Sequence, residues 1–430
     1  MIPVLQVTQR LIRFCLRGMF LVLLGACASG LKVGDIPPTP PPGVHVGNEI
    51  ALLDSAPEKA VALMTSDGRV HLVVVTAAGD AVHLLVTEHG VERKEQVGTR
   101  HYGYYSNLAI ADDAQGRLHL ALKDEHWILE NGVWRLAGEN RCALLARAGA
   151  STACVVVVDG SELKTPAQWG VVGIGGGLGA GALIPYRIHP DKLVLGEAVG
   201  DGWSYRSILD HHARFSANLA NIDSGTLAGD ASGGLHLLFF VYEDNYYSAR
   251  YHCSRLDQVG SPDIEWRPAD GQRVMLRTLE SVSTSPGAEW FVPADAIALA
   301  VDPQTGAALF FARHVQKGLF ANWTDASVSI RDGVFGEPVP IPVKKSTPRR
   351  LAPAGNGRFH ALVTVGSGLA YLAYRDGGWS EPVRIGEFGA PSLFLIANSS
   401  IQIASDGRNQ ALAVWPTREG GLVGRWIEVD

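Results

Sequence analysis

Charge is scarce in this chain, and basic charge is the scarcer sign. Asp, Glu, Lys and Arg make up 19% of the residues, and the net charge is -6. No basic stripe runs through any segment, which excludes a nucleic-acid binder that works by neutralising phosphates. Cysteine is rare as well, with five in 430 residues. There is no C-x-x-C and no Cys/His cluster, so the sequence offers no metal centre, and no motif calls for a cofactor. No apolar run reaches the ~20 residues that a spanning helix requires. What remains is an ordinary globular composition, 47% hydrophobic and rich in glycine. It is enough for a large core. Two or three domains would fit the length, but a closed all-β architecture of this size can be one unit.

The N-terminus has the pattern of a secretory signal. Arg10, Arg13 and Arg17 are the only charges before Cys27, and the run M-F-L-V-L-L-G-A leads up to it. Leu24-Gly25-Ala26-Cys27 resembles the bacterial lipobox, L-[AGST]-[AG]-C. The resemblance implies a signal peptide at 1–26, acylation of Cys27 with palmitate-like chains, and attachment to the membrane through them. The absence of Asp after Cys27 implies outer-membrane sorting, on a side that the residues do not specify. Multiple acyl chains make a lasting anchor where one chain does not. Loss of the three arginines takes the net charge from -6 to -9.

Five prolines fill positions 37–42 apart from Thr39. Such a run favours extended polyproline II, so residues 27–45 are expected to be a lipidated Cys and a tether ahead of a body at 46–430. With Cys15 in the signal and Cys27 acylated, Cys142, Cys154 and Cys253 remain. Cys142 and Cys154 flank a strand turn and are the disulfide candidates of an oxidising compartment.

The body repeats. T-S-D-G-R-V-H-L (65–72), D-A-Q-G-R-L-H-L (113–120), D-A-S-G-G-L-H-L (230–237), D-P-Q-T-G-A-A-L (302–309), G-N-G-R-F-H-A-L (355–362) and S-D-G-R-N-Q-A-L (405–412) share one grammar, and A-G-A-S-T-A-C-V (148–155) is a degenerate copy. Their turn glycines fall at 68, 116, 149, 233, 306, 357 and 407. In the six full copies, a strand enters an Asp/Asn-x-Gly type of turn, where Asp or Asn supplies a local hydrogen bond and Gly a positive φ. An apolar strand follows, then a third, then a fourth that opens with Gly and an aromatic, as in N-G-V-W at 131–134 and D-G-G-W at 376–379. Four strands per unit of 40 to 50 residues predict an all-β β-propeller of seven four-stranded blades, with six as the alternative, and an enlarged unit at about 149–232. The last unit lacks a fourth strand, which residues 45–55 are expected to supply, closing the ring and removing an edge.

The units resemble the sialidase-like, BNR-type propeller repeats through D-x-x-G-x-x-H followed by G-x-W-x-x-P, although the full Asp-box is absent. The resemblance implies the fold and opens an enzymatic alternative, a carbohydrate hydrolase or lyase. Pro185-Tyr186-Arg187-Ile188-His189-Pro190 resembles the Y-R-I-P element whose Arg clamps a substrate carboxylate, interrupted here by His189. A guanidinium fork suits that task. No nucleophile pair or proton donor can be assigned, so no catalytic residue is named.

His71, His119, His236 and His360 stand at one offset from their turn glycines. A residue repeated around a ring lies in separate blades, so these are expected to be buried strand imidazoles bonded to turn backbone. The alternative is a ring of histidines lining the channel and titrating near neutrality. G-D-A-S-G-G at 229–234 is a blade turn rather than a protease nucleophile motif. V-G-I-G-G-G-L-G-A-G-A at 172–182 lacks the βαβ context of a dinucleotide site. Adjacent histidines on a strand point to opposite faces, which weighs against metal at 210–212 and 123–126.

The segment from Trp169 to Pro185 carries no charge at all. It is either a hairpin packed on the body or a contact surface. The expected function is therefore a lipid-anchored binding or scaffold module for an envelope protein or glycan, with the enzymatic alternative kept open. The candidate surface is Trp169, Tyr186, Arg187, Trp203, Tyr205, His211 and His212, since aromatics and Arg anchor interfaces.

Overall fold

The computed structural model describes residues 36–55, 57–98, 102, 107–158, 168–174, 182–188, 192–210, 214–215, 225–243, 246–255, 276–277, 290–291, 298–316, 322–331, 334–343, 346–389 and 400–430. The signal segment and Cys27 lie outside these residues, as do His211 and His212.

The chain is an all-β propeller built from antiparallel four-stranded meanders. Blade 1 runs Pro57–Met64, Val70–Thr76, Ala81–Thr87 and Gly90–Val97; blade 2 runs Leu108–Asp112, Leu118–Leu122, Glu125–Glu130 and Val133–Glu139. Blade 3 comprises Leu144–Ala148, Ser151–Val158, Lys192–Val199 and Gly202–Asp210. Blade 4 is built on Gly225–Gly229, Gly234–Glu243 and Tyr246–Arg255, and blade 5 on Leu299–Val301, Ala308–Gln316, Asn322–Arg331 and Val334–Phe335. Blade 6 is Thr347–Gly355, Arg358–Val365, Gly368–Arg375 and Gly378–Trp379, the last extended by Val383–Glu387. Blade 7 takes Gln402–Ser405, Gln410–Pro416 and Leu422–Val429 from the C-terminus and Val44–Leu53 from the N-terminus.

That last pairing closes the ring. Val44 lies opposite Val429 and Leu53 opposite Leu422, with irregularities after Val46 and Ala51. The first strands of the blades touch in sequence, and the first strand of blade 7 touches that of blade 1. The cores lie between blades. Leu72, Val74 and Leu84 of blade 1 meet Ala404, Leu412 and Val414 of blade 7, and Val73 and Val75 on the other face meet Leu108, Leu118 and Leu120 of blade 2. The strict alternation of strand side chains lets one apolar strand feed both seams.

The Asp-x-Gly turns gather at one end and behave as the sequence requires. Asp113 Oδ1 accepts from Gln115 N at 2.9 Å and Arg117 N at 3.0 Å, and Asp230 Oδ1 accepts from Ser232 N and Gly234 N at 2.8 Å each. Gly68, Gly116, Gly233, Gly306, Gly357 and Gly407 all have φ between 69° and 90°. The turns also bond to one another across seams: Ala114 N to Ala150 O, Gly149 N to Asp230 O, Ala231 N to Pro303 O, and Gly357 N to the Asp302 carboxylate. They staple the ring while terminating strands.

The proline-rich segment departs from expectation. Ile36 is buried among Phe311, Ile341 and Val363, and Pro37 O accepts from Arg384 N at 2.9 Å. Composition made this stretch stiff, but stiffness does not keep it off the body, and from Ile36 onward it is docked rather than free.

Candidate functional site: histidine relays and an inserted hairpin

The repeated histidines are bonded inside their own blades. His119 Nε2 is 3.2 Å from Asp113 Oδ2, and its Nδ1 is 3.0 Å from His126 Nε2. A carboxylate only accepts, so His119 donates from Nε2 and accepts from His126 at Nδ1. In blade 1 the order reverses. His83 Nδ1 donates to Glu95 Oε1 at 2.9 Å, and its Nε2 accepts from His71 Nδ1 at 3.0 Å. In blade 6 the partner is a phenol: His360 Nδ1 lies 2.7 Å from Tyr371 Oη. In all three the partner sits on the adjacent third strand, diagonal in the register.

The partners correct the sequence reading in one respect. The imidazoles bond the carboxylate of the turn Asp or a side chain of the next strand, not turn backbone. The channel-lining alternative fails on burial. His119 and His360 are wholly buried, and His71 is 8% exposed. Burial, reinforced by the neighbouring imidazole, pushes His71 and His126 down to about 4, and burial takes His360 to about 3. His83 and His119 are also lowered by burial, against the pull of Glu95 and Asp113. These rings are neutral at neutral pH and serve as core.

Trp203 lies beside two of these histidines. Its ring packs 4.8 Å from His126 and 6.1 Å from His119, in the seam between blades 2 and 3. Trp134 of blade 2 packs edge-on against His83 of blade 1 at 5.3 Å, and Trp379 of blade 6 donates to Ser327 Oγ of blade 5 at 3.1 Å. Trp134, Trp203 and Trp379, which open fourth strands, thus each pack into the seam with the preceding blade. Trp203 is therefore half-buried against the histidines of blade 2. Tyr205, two residues on along the same strand, is 42% exposed.

The other candidates lie on an insertion. Between the second and third strands of blade 3 the chain makes a two-stranded sheet, Gln168–Ile174 with Ala182–Ile188, that pairs with no other strand among the described residues. Trp169 lies directly opposite Arg187, and Gly170 opposite Tyr186. The meander is antiparallel, so this hairpin leaves the blade at the end away from the stapled turns. The two ends of the glycine-rich stretch, at 172–174 and 182, are strand residues of this sheet, and the glycines between them lie outside the described residues. Cys142 and Cys154 are joined by a disulfide, which ties the lead-in of blade 3 to its second strand. Opposite Cys154 stands Gly196, where a Cβ would meet Cys154 Sγ at 2.5 Å.

The remaining motifs resolve as structure. Ser232 Oγ donates to Asp230 at 2.7 Å within its turn, so the protease-like hexapeptide has its acid on the serine and its histidine 4.0 Å beyond that acid. Glu125 of K-D-E-H accepts from Tyr102 Oη at 2.6 Å and Trp127 Nε1 at 3.0 Å. No three His, Cys, Asp or Glu side chains gather as a metal site among the described residues.

No family model matches the chain, and no curated protein matches it in sequence. Solved structures do match. Virginiamycin B lyase from Staphylococcus aureus aligns at 10% identity and TM-score 0.43 over 90% of this chain and 100% of that one. The RRP9 WD40 repeats align at 7% and 0.45, over 90% and 98%. A PQQ-bound aldose sugar dehydrogenase from Streptomyces coelicolor aligns at 11% and 0.38, over 82% and 99%. At these identities and scores no substrate, cofactor or partner transfers to this chain.

Proposed function

We propose that the chain is an envelope binding module, held to the outer membrane by acylated Cys27, that meets a protein or glycan partner through the hairpin of blade 3. One observation carries the reading: Gln168–Ile174 and Ala182–Ile188 form a two-stranded sheet of their own, inserted between two strands of a blade on the side away from the stapled end. Its sequence is uncharged from Trp169 to Pro185, with Trp169 opposite Arg187 in the backbone register, residue types that anchor interfaces. The enzymatic alternative rests on Arg187 alone, and that residue stands on the insertion.

The test has two arms. Mass spectrometry of the processed protein is expected to find an acylated Cys27 as the first residue, and Cys27→Ser is expected to release the protein from membranes. Deletion of 168–188 is expected to leave melting unchanged while removing the partner captured from crosslinked envelopes. A partner retained by the deletion variant would assign the binding elsewhere.

A further inference from the structure

Four of the seven blades carry an aromatic just past the turn between third and fourth strands, and blade 1 does not. Past the pair that closes the turn between third and fourth strands, the next register position holds Trp134 opposite Leu129, Trp203 opposite Ala198, Phe335 opposite Ile330, and Trp379 opposite Tyr374. In blade 1 the closing pair is Thr87 and Gly90, and the next position is Val91 opposite Val86. Valine replaces the ring, and it is 36% exposed.

The pattern also says what a ring there would touch. Trp134 lies on His83, and Trp203 on His126, the third-strand residue of the preceding blade each time. Blade 7 precedes blade 1, and its third strand offers Trp426, opposite Leu412. Gln410 stands where four other blades carry histidine. Trp426 packs on the core shared by the two blades and leaves space outside it. Its Nε1 donates to Thr87 O at 3.2 Å, and Trp426 and Gln410 line an open cavity of about 600 Å³ with Val91. A volume of this order suits a small ligand or an inserted side chain. The rim is acidic. Asp67 is held by Arg69 at 2.6 Å, which leaves Glu88 and Glu92 in excess, with His89 3.6 Å from Glu88. A Cβ on Gly90 would meet nothing within 4 Å, so the entrance is clear.

We propose that this seam takes an aromatic side chain from a partner polypeptide, presented between basic residues. The seams at Trp134, Trp203 and Trp379 take an aromatic ring at this position, and blade 1 supplies none of its own. Aromatic rings prefer offset or edge-to-face contact with an indole such as Trp426. The two uncompensated glutamates select a basic flank. The site is independent of the hairpin, so the two readings fail separately.

The probe is the capped tripeptide Lys-Trp-Lys, titrated into the full chain by calorimetry beside Lys-Ala-Lys, Glu-Trp-Glu and a chitin oligosaccharide. Lys-Trp-Lys is expected to bind, and the other two peptides at least about tenfold more weakly. Val91→Trp is expected to fill the gap, raise the melting temperature and abolish peptide binding. Trp426→Ala is expected to weaken binding, and Val91→Trp decides the matter if that variant does not fold. Deletion of 168–188 is expected to leave peptide binding intact. No binding of Lys-Trp-Lys at millimolar concentration, binding indifferent to Val91→Trp, or a Val91→Trp-sensitive site that takes the oligosaccharide and not the peptide would each overturn the proposal.

Discussion

A buried neutral histidine ties stability to pH, and the sign follows from burial. His71 and His126 are depressed from 6.5 to about 4 in the folded chain. The unfolded chain therefore binds protons that the folded chain refuses between those values. Stability is fully present above about pH 6.5 and is lost as pH falls toward 4. Each such histidine contributes on the order of a few kcal/mol to that slope. Melting temperature measured from pH 7 down to 4 is expected to drop steadily, and the double substitution of His119 and His126 by Phe is expected to flatten the drop. A melting temperature independent of pH over this window would contradict the neutral relays. Sterics set a second expectation at this scale. A Cβ on Gly229 would stand 2.0 Å from Arg147 O, where the first strands of blades 3 and 4 approach. Gly229→Ala is expected to cost about 1–3 kcal/mol, measured by denaturant unfolding, whereas Gly138→Ala, with nothing within 4 Å, is expected to cost far less.

At the scale of elements, the sequence was most legible where the chain is local. The Asp-x-Gly turns could be placed because an Asx hydrogen bond and a positive φ are properties of four or five consecutive residues. The strands around them follow from alternation. The partner of each histidine was not legible. It lies diagonally across a hairpin, 12, 7 or 11 residues away in His71–His83, His119–His126 and His360–Tyr371, so no fixed spacing marks it. The aromatic at the start of the fourth strand was visible as a repeat, but its contact is with another blade. The contact of Trp203 with His126 is therefore not readable from sequence spacing. Ile36 was hidden by the prolines beside it, since composition reports chain stiffness and not the surface that it docks on. On the insertion, charge depletion was legible, and so were Trp169, Tyr186 and Arg187 as residues. Their register on a separate two-stranded sheet was not, because glycine-rich sequence does not specify pairing.

At the scale of the molecule, the closing strand carries the largest expectation. Val44–Leu53 covers the outer edge of blade 7 and buries Val44, Leu52 and Leu53. Removing residues 44–53 exposes that edge and is expected to lower the melting temperature and promote self-association, followed by light scattering. A truncated chain that stays monomeric and equally stable would mean that the ring does not depend on its terminal strand. The ring, stapled at one end, leaves the other end to the insertion, and the central claim is that the insertion makes the functional contact. The most direct measurement is photo-crosslinking in intact envelopes from position 169, with Val133, 63% exposed on blade 2, as the control position. The account predicts an adduct of discrete mass from 169 and none from 133. No adduct from 169, or the same adducts from both positions, would contradict it.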